Sequence, residues 1–448
     1  MVLTTSLTKE YVVVKTYTIN MDELNEYIIN QNPHWTNQNL NTGVERTNYL
    51  NKITDSINYS KEIIIIGGVR RAGKTTLMYQ TINYLINSKK INPKNILFIS
   101  CDTPLIKNLD QPLETIIDRY QKLAGTSQNI WLFFDEIQSI NEFQITIKNL
   151  HDSGKYKIII SGSTSHILKS KSGTYLTGRY IPIQVYPLSF SEYLNFKKIK
   201  KPKSVMDAQT QKYELIGHLN NYMSRGGFPA AVSIENESVR KDLLKAYYDG
   251  IVYRDIINSH NVKNQSVMIE LMSYLITNIS NPQTYRKLAE MFKTEPSTVQ
   301  DYISYALDGN LIYSASKFDF SYKKQIVAPK KIYVVDTGLR DVSAFVFSKD
   351  YGRLAENIVC FELLRRGFEP KYFKENSEID FVVKDESSSI TLINVCYSDK
   401  IPTREYEGFA DFNKAYPEIP VRKIILTDNV EGESDGVSLI PLWKWLIS

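Results

Sequence analysis

Short runs of apolar residues recur through the first half of the chain, and each run ends in polar or glycine residues. Four isoleucines occupy residues 63–66, and further runs lie at residues 95–101, 130–134 and 157–160. Runs of this length between turn residues predict strands that are buried on both faces, as in a parallel sheet. Apolar residues at helical spacing between the runs, for example at residues 113–123, predict an α/β fold with helices covering that sheet.

The segment after the first predicted strand has the composition of a phosphate-binding loop. Residues 68–75 match the pattern G-x-x-x-x-G-K-[ST], with a strand before and helical residues after, as this motif requires. The glycines let backbone N–H groups approach phosphate oxygens, and the following helix points its positive dipole end at the same anions. We expect ATP to be bound by the residues of this loop, which are Gly68, Val69, Arg70, Arg71, Ala72, Gly73, Lys74, Thr75 and Thr76.

Four side chains are predicted to carry the chemistry of ATP hydrolysis. We expect Lys74 to bridge the β- and γ-phosphates, and the Thr75 hydroxyl to bind Mg²⁺, a hard ion that prefers oxygen ligands. The apolar run at residues 130–134 leads into Asp135 and Glu136, which is the Walker B pattern. The end of that strand delivers Asp135 to the shell of Mg²⁺ and places Glu136 to polarise the attacking water. The predicted cofactors are therefore ATP and Mg²⁺.

Composition and charge place the chain among ordinary globular proteins. Its 448 residues are 42% hydrophobic and 23% charged, a length that predicts two to four domains. The net charge of +5 results from 54 basic and 49 acidic residues. This excess is too small to indicate nucleic-acid binding by itself.

The cysteines and the hydropathy pattern indicate a cytoplasmic protein. Cys101, Cys360 and Cys396 are far apart and form no C-x-x-C pair, so neither a disulfide framework nor a zinc site is predicted. No stretch approaches the roughly 18 apolar residues that a membrane span requires. We therefore expect no membrane association and a location in the reducing cytosol.

Several segments resemble those of a family of archaeal and bacterial AAA+-type ATPases. In that family the ATPase domain is followed by a C-terminal domain of unknown function. The resemblance covers most of the chain and is weakest over residues 1–40. The matching segments are GGVRRAGKTTL, WLFFDEIQ, IIISGSTS, TGRY with the following YPLSFSEYL, RGGFP and the closing IPLWKWL.

The resemblance implies further residues at the ATP site. In AAA+ ATPases the strand beside the Walker B strand ends in a polar residue that senses the γ-phosphate, and Ser161 or Ser163 occupies this place. An arginine just before the last core strand reaches the ATP of a neighbouring subunit, which implies that Arg179 is an arginine finger in a homo-oligomer. Such a finger contributes roughly 10³ to 10⁵ in rate. A structural arginine that caps the strand, and action within one chain, are the alternatives for Arg179.

The segment RGGFP implies a helical lid over the nucleotide. In related signal-transduction ATPases a Gly-x-Pro motif belongs to this lid, and residues 227–229 match it. Arg225 is then a candidate sensor of the phosphates, and a plain turn is the alternative. Arg254, on the following predicted helix, is another candidate arginine.

Residues 281–316 are predicted to form a winged helix-turn-helix. Thr284 caps the first helix, Pro296 starts the second, and a basic wing follows. Five wing lysines that contact phosphates would make DNA affinity fall roughly 500-fold between 50 and 200 mM salt. The alternative is a module that packs only on protein. The candidate DNA-binding residues are Lys317, Lys323 and Lys324, with Lys330 and Lys331 nearby.

The last part of the chain resembles the restriction-endonuclease-like fold. That fold needs an acid on one strand and Glu-x-Lys on the next, to hold Mg²⁺ and to place a lysine near the attacking water. Asp380 is present, but Asn394 and Cys396 stand where Glu and Lys belong. We therefore expect an inactive nuclease fold that serves as a binding or assembly surface.

The sequence as a whole predicts an ATPase that hydrolyses ATP with Mg²⁺ and acts on or with duplex DNA. The alternative is a nucleotide-dependent switch that binds a protein partner without DNA. The expected domains are an N-terminal extension (1–42), an AAA+-like P-loop core (43–195), a helical lid (196–275), a winged helix (276–335) and an α/β nuclease-like domain (336–448).

Overall fold

The computed structural model describes residues 21–36, 38–163, 167, 173–343, 350–385, 389–398 and 400–448. The β-branched segment at residues 11–17, which the sequence predicts to be a strand, lies outside these residues. Within the described ranges, no helix is both long enough and apolar enough to cross a bilayer.

Five parallel strands form the sheet of the N-terminal half, in the order β2-β3-β4-β1-β5. Ile63 and Ile65 of β1 join one apolar cluster, and Ile64 and Ile66 join a second. Successive side chains of a strand point to opposite faces, so both faces of this sheet are buried. The predicted α/β core with a parallel sheet is confirmed. The strands are β1 (Ile63–Gly68), β2 (Ile96–Ser100), β3 (Ile130–Asp135), β4 (Tyr156–Gly162) and β5 (Tyr180–Val185).

Helices cover both faces of this sheet, as expected for parallel strands that need crossover connections. Because the strands are parallel, the ends of the neighbours β3, β4 and β1 open at one edge of the sheet. The helices are α1 (Met21–Gln31), α2 (Thr47–Tyr59), α3 (Lys74–Asn87), α4 (Pro104–Lys107), α5 (Pro112–Ala124) and α6 (Phe143–Asp152).

The segment that follows α1 covers the edge strand β2. The Asn32 side chain accepts a hydrogen bond from the Phe98 N–H at 2.7 Å and donates to the Phe98 carbonyl at 2.9 Å. The Trp35 indole donates to the Ile96 carbonyl at 2.8 Å. An exposed edge strand with unpaired backbone N–H and C=O groups can pair with other chains. Here the side chains of Asn32 and Trp35 form hydrogen bonds with backbone groups of β2 instead.

The middle of the chain is helical up to residue 277. The last turn of α11 continues without a break into a π-helix, Gly250–Asn258. π-helices are rare and occur frequently at functional sites. The α-helices are α7 (Phe190–Phe196), α8 (Val205–Thr210), α9 (Lys212–Arg225), α10 (Pro229–Val232), α11 (Glu237–Asp249) and α12 (Gln265–Thr277).

Residues 282–334 form a unit of three helices and a three-stranded sheet, which we name the helix–hairpin unit. The Thr284 side chain caps α13 by accepting from the Lys287 N–H, and Pro296 stands in the first turn of α14, as their sequence predicts. Its antiparallel sheet has the order β6-β8-β7. The elements are β6 (Pro282–Gln283), α13 (Tyr285–Met291), α14 (Pro296–Asp308), β7 (Ile312–Ala315), α15 (Tyr322–Val327) and β8 (Lys330–Val334), followed by α16 (Thr337–Ser343).

The C-terminal domain is a mixed sheet with helices, in the strand order β13-β14-β12-β11-β10-β9. The hairpin β10-β11 is antiparallel, whereas β11, β12 and β14 are parallel. Its elements are α17 (Tyr351–Arg365), β9 (Lys371–Lys374), β10 (Glu378–Lys384), β11 (Ile390–Cys396), α18 (Arg404–Ala415), β12 (Val421–Thr427), β13 (Gly432–Ser434), β14 (Val437–Pro441) and α19 (Leu442–Ile447).

The parts of the chain are packed together rather than joined by open linkers. One apolar cluster contains Ile64 of β1, Ile303 of α14 and Trp443 of α19. The buried Asp336 carboxylate accepts from the Gly227 N–H at 2.6 Å, and burial raises the pKa of Asp336 to about 6. A Cβ at Gly226, which has φ 78°, would lie 1.9 Å from this carboxylate, so the approach requires glycine.

Candidate functional site

The phosphate-binding loop lies between the end of β1 and the start of α3. A Cβ at Gly68 would lie 2.0 Å from the Val185 carbonyl of β5, so the strands pack closely only because this residue is glycine. Gly73 adopts a left-handed conformation (φ 97°) and caps α3, which begins at Lys74. The local sequence therefore produces the strand, turn and helix N-terminus that an anion site needs.

Lys74 is buried beneath this loop. Its Nζ donates to the carbonyl oxygens of Gly68 at 3.1 Å and Val69 at 3.3 Å, and lies 3.6 Å from Oε1 of Glu136. The side chain is 6% exposed. The ammonium therefore stands between the loop and the end of β3, where it can bind a phosphate that the loop holds.

Hard oxygen donors meet at the ends of β3 and β4. The Thr75 hydroxyl donates to Oδ2 of Asp135 at 2.7 Å, and the Ser161 hydroxyl donates to Oδ1 of the same carboxylate. Burial raises the pKa of Asp135, and these two hydrogen bonds oppose the rise. A hydroxyl and a carboxylate at this spacing are the donor set that Mg²⁺ prefers, so the residues fit the predicted metal.

Glu136 follows Asp135 in a left-handed conformation with φ 53°. Its Oε2 accepts a hydrogen bond from the Gln138 amide at 2.6 Å. Burial acts to raise the pKa of Glu136, but the charges of Lys74 and Arg70 and this hydrogen bond lower it overall. Glu136 is therefore a charged carboxylate at neutral pH and can accept a hydrogen bond from a water molecule.

The two serines predicted as sensors of the γ-phosphate occupy different positions. Ser161 is buried and contacts Asp135, and its Oγ accepts from the Glu136 N–H at 3.1 Å. Ser163 lines the cleft beside Lys74 and donates to the Asp308 carbonyl at the end of α14. Ser161 therefore belongs to the Asp135 cluster, whereas Ser163 connects the cleft to the helix–hairpin unit.

The phosphate-binding loop has a second open side, which the helical region covers. Pro229 and Tyr247 line it together with Arg71 and Thr75. The predicted Gly-x-Pro segment therefore adjoins the loop. Arg225 points elsewhere, since its guanidinium donates to the Ile234 carbonyl at 2.9 Å, and its role as a phosphate sensor remains a prediction.

Comparison with known proteins identifies the family. An AAA domain model matches residues 60–194, and models of two domains of unknown function, DUF8612 and DUF4143, match residues 216–349 and 351–445. Uncharacterized protein MJ1544 of Methanocaldococcus jannaschii is 34% identical over 413 residues, covering 86% of this chain and 88% of the relative. The chain belongs to this family of AAA-domain proteins.

Two further similarities extend the comparison. An uncharacterized protein of Haemophilus influenzae is 28% identical over 415 residues, covering 90% of this chain and 98% of the relative. Among solved structures, the Walker-type ATPase PABY2304 of Pyrococcus abyssi is 13% identical with a TM-score of 0.40, over 67% of this chain and 95% of that chain.

Arg179 lies at the opposite edge of the AAA domain from the phosphate-binding loop. Its carbonyl accepts from the Ile63 N–H at the start of β1, whereas the loop follows the end of that strand. The six residues of β1 span about 17 Å, too far for an arginine side chain to reach its own loop. Its Nε donates to Asp152 at 3.0 Å. A finger role for Arg179 is therefore open only toward another subunit, and it remains a prediction.

The wing lysines differ in their surroundings. The expectation that all five can contact DNA phosphates is therefore wrong. Lys323 is exposed, Lys317 pairs with Glu375 at 3.2 Å, and Lys324 pairs with Asp319 at 3.5 Å. Lys331 is 1% exposed and contacts three carboxylates, so it is not available to DNA. Composition revealed the lysines but not their burial.

Lys331 joins the helix–hairpin unit to the C-terminal domain. Its Nζ lies 2.9 Å from Oε1 of Glu356, 2.6 Å from Oε1 of Glu378 and 3.3 Å from Oδ1 of Asp380. The Tyr333 hydroxyl donates to the same oxygen of Glu356 at 2.8 Å. An ammonium from β8 thus pairs with acids on two elements of the neighbouring domain, Glu356 on α17 and Glu378 and Asp380 near the start of β10.

Asn394 and Cys396 have structural contacts in the C-terminal domain. The Asn394 side chain accepts from the Asp380 N–H at 3.0 Å and donates to the Glu405 carbonyl at 2.8 Å. The Cys396 thiol lies 3.3 Å from the Ser398 hydroxyl. Over the part of the chain that the structure describes, no group of three acidic, histidine or cysteine residues is arranged to hold a metal ion.

Proposed function

We propose that this protein is an ATPase that uses Mg²⁺ and hydrolyses ATP at the ends of β1, β3 and β4. The observation that carries the proposal is the meeting of the Thr75 hydroxyl and the Asp135 carboxylate at 2.7 Å, beside Lys74 and Glu136. Oxygen donors suit Mg²⁺, an ammonium suits phosphate, and a charged carboxylate next to them suits a water molecule. Membership of an AAA-domain family supports nucleotide binding by these residues.

Each residue has a distinct role in this proposal. The backbone N–H groups at residues 69–75 and Lys74 hold the phosphates. Thr75 and Asp135 hold Mg²⁺, which when bound neutralises charge on the phosphate oxygens. Glu136 orients the water that attacks the γ-phosphate, and Ser161 fixes the orientation of Asp135 by its hydrogen bond.

Replacing Thr75 with valine tests the metal site. Valine preserves the shape but removes the oxygen, so we expect the affinity for ATP in Mg²⁺ to fall by at least about tenfold. Affinity in EDTA should change little, because only the metal contact is lost. Titration of a fluorescent ATP analogue with and without Mg²⁺ measures both quantities.

Thr81→Val is the matched control for this experiment. Thr81 lies further along α3, and its hydroxyl donates to the Leu77 carbonyl within the helix. The control should retain the dependence on Mg²⁺. If Thr75→Val binds ATP as the wild type does in both buffers, Thr75 is not a metal ligand.

The ATPase activity is proposed to serve contact with duplex DNA through the wing of the helix–hairpin unit. Lys317, Lys323 and Lys324 are the candidate contacts. Lys331 is buried and the Lys330 ammonium donates to the Gln325 carbonyl at 2.6 Å, so leaving out these two reduces the expected number of phosphate contacts from five to three. With three contacts, affinity should fall about 40-fold between 50 and 200 mM salt.

The double variant Lys323→Glu/Lys324→Glu tests this proposal. Only one phosphate contact remains, so the fall in DNA affinity over the same salt range should shrink to about threefold. Fluorescence anisotropy with a labelled duplex measures both slopes. Lys198→Glu/Lys200→Glu changes two exposed lysines outside the wing and should keep the wild-type slope. Equal slopes in the two double variants would exclude the wing as the DNA contact.

The second candidate function is a nucleotide-dependent switch that binds a protein partner. The same wing exposes large apolar side chains, which are typical of a protein-binding surface. Tight, salt-insensitive binding of a partner only in the presence of ATP would favour this function over DNA contact. The exposed residues are Phe320, Tyr322, Ile326 and Val327.

Assembly into a homo-oligomer is also part of the proposal. Arg179 cannot reach the phosphate-binding loop of its own chain, so a finger role requires a second subunit. Turnover per subunit should then rise with protein concentration. If the protein is a monomer and its turnover per subunit does not change on dilution, Arg179 has no role in the mechanism.

A further inference from the structure

Two adjacent residues of the π-helix carry opposite charges toward the AAA domain. Asp255 accepts two hydrogen bonds from Arg70 of the phosphate-binding loop, from Nε to Oδ2 and from Nη2 to Oδ1, each of 3.0 Å. Arg254 donates to Asp102, which lies just beyond the end of β2. The same two neighbouring positions therefore hold the AAA domain by two ion pairs of opposite polarity.

Both ion pairs lie at the cleft where the chemistry is proposed to occur. Arg70, Arg254 and Asp255 line this cleft together with Lys74 and Glu136. The Arg70–Asp255 pair is about one-fifth exposed, with 21% and 22% of the side chains accessible. A phosphate group next to Lys74 therefore brings negative charge to the two arginines, which bind phosphate in the same forked geometry that they use for carboxylates.

The π-helix also supports the helix–hairpin unit. Ile256 follows Asp255 and packs against Gly309, where a Cβ would lie 2.7 Å from its Cγ1 atom. The Gln184 amide of β5 donates to Oδ1 of Asn310 at 2.8 Å. The residue next to Asp255 thus packs directly against the end of α14, at the border of the same cleft.

We propose that Arg254 and Asp255 form a charge latch between the π-helix and the AAA domain, which the terminal phosphate of ATP opens. Phosphate competes with Asp255 for Arg70 and with Asp102 for Arg254. ADP lacks that phosphate and leaves the latch closed. Asp255 is therefore a positioning residue that makes the π-helix, and the helix–hairpin unit packed on it, respond to ATP. This inference rests on the proposed ATP site.

Asp255→Asn tests the latch through the preference for ATP over ADP. The variant removes the carboxylate that competes for Arg70, so ATP affinity should rise by up to about fivefold while ADP affinity stays unchanged. Titration of both nucleotides in Mg²⁺ measures the ratio. Asp249→Asn is the matched control, because Asp249 lies on the same helical run but pairs with Lys245 at 3.1 Å.

Hydrogen exchange of the backbone amides at residues 250–258 gives a second readout that does not depend on turnover. In the wild type, the non-hydrolysable analogue AMP-PNP should speed exchange of these amides, whereas ADP should not. In Asp255→Asn exchange should be fast with either nucleotide, because the latch is already open. Arg70→Lys keeps the charge but loses the forked contact, so it should show the same fast exchange with either nucleotide as Asp255→Asn. It replaces Asp255→Asn in the experiment if that variant does not fold.

The outcomes separate the latch from the ATPase proposal. Wild-type protein that binds neither nucleotide contradicts the proposed function itself. Wild-type protein that binds both overturns the latch alone if Asp255→Asn retains the wild-type nucleotide ratio and if Asp255→Asn and Arg70→Lys both retain the wild-type exchange pattern. An altered ratio in Asp249→Asn would also overturn it, since that residue is not among the described residues that line the cleft.

Discussion

Replacing Glu136 with glutamine is expected to lower ATP turnover by about 10² to 10⁴ while ATP still binds. Glutamine has the size of glutamate but cannot accept a proton or carry charge. The amide of Gln138 and the ammonium of Lys74 hold the wild-type carboxylate in place, and neither contact is needed for the phosphates to enter the loop. Phosphate release at saturating ATP measures turnover, and a fluorescent nucleotide measures affinity.

Glu142→Gln is the control for this prediction. Glu142 is an exposed residue just beyond the turn that follows β3. Its substitution replaces a carboxylate with an amide, as Glu136→Gln does, but outside the cleft. We expect its turnover to equal that of the wild type. If Glu136→Gln hydrolyses ATP within about twofold of the wild-type rate, another group orients the water.

The pH profile of turnover gives a further expectation for the same residue. The pKa of Glu136 is lowered from its ordinary value of 4.5, so the carboxylate is charged above that value. Protonation of Glu136 should therefore reduce turnover only below pH 4.5. A fall in turnover centred near pH 6 would indicate that a different residue is the base.

Replacing Lys331 with methionine is expected to cause the largest loss of stability. Methionine fills the space of the lysine stem but removes the cation that Glu356, Glu378 and Asp380 share, and only Glu378 keeps another described cationic partner, Lys374 at 3.0 Å. Breaking a buried ion pair by removing one partner typically costs about 3 to 5 kcal/mol. For domains of this size we expect the thermal unfolding midpoint to fall by about 10 °C.

The effect of Lys331→Met should depend on pH in a defined direction. Burial and the charge of Asp380 raise the pKa of Glu356 to about 7, and burial also raises the pKa of Asp380. Carboxyls with raised pKa values bind more protons in the folded state, so their protonation favours folding as the pH falls from about 7. The difference between variant and wild type should therefore be smaller at pH 5.5 than at pH 8.

Lys330→Met is the matched control on the same strand. The Lys330 ammonium donates to the Gln325 carbonyl at 2.6 Å, and no carboxylate is paired with it among the described contacts. We expect a midpoint within about 2 °C of the wild type. Equal decreases of the unfolding midpoint in Lys331→Met and Lys330→Met would show that the buried charge cluster does not stabilise the contact between the helix–hairpin unit and the C-terminal domain.

The sequence predicted those features that depend on local pattern. The run at residues 63–66 is apolar at every position because both faces of a parallel sheet are covered, so its strand was predictable. The phosphate-binding loop and the acids after residues 130–134 follow such strands directly. Two short motifs, each directly after a buried strand, therefore predicted that Lys74 and Glu136 belong to one site.

The contacts that connect distant parts of the chain could not be predicted from the sequence. Arg70 and Asp255 are 185 positions apart, and no periodicity links them. Asn32 resembles any polar loop residue, yet it completes the hydrogen bonds of the edge strand β2. Lys331 belongs to a basic stretch whose composition predicts a DNA-contacting wing. Only the fold shows that its side chain points into the neighbouring domain.

Steady-state ATP turnover in Mg²⁺, with and without duplex DNA and with Glu136→Gln as the control, tests whether this protein hydrolyses ATP at the proposed site. We expect duplex DNA to increase turnover by the wild type, and turnover in the variant to be lower by at least about 10² under both conditions. Equal turnover in the wild type and Glu136→Gln, or none in the wild type at saturating ATP and Mg²⁺, would contradict ATP hydrolysis at this site.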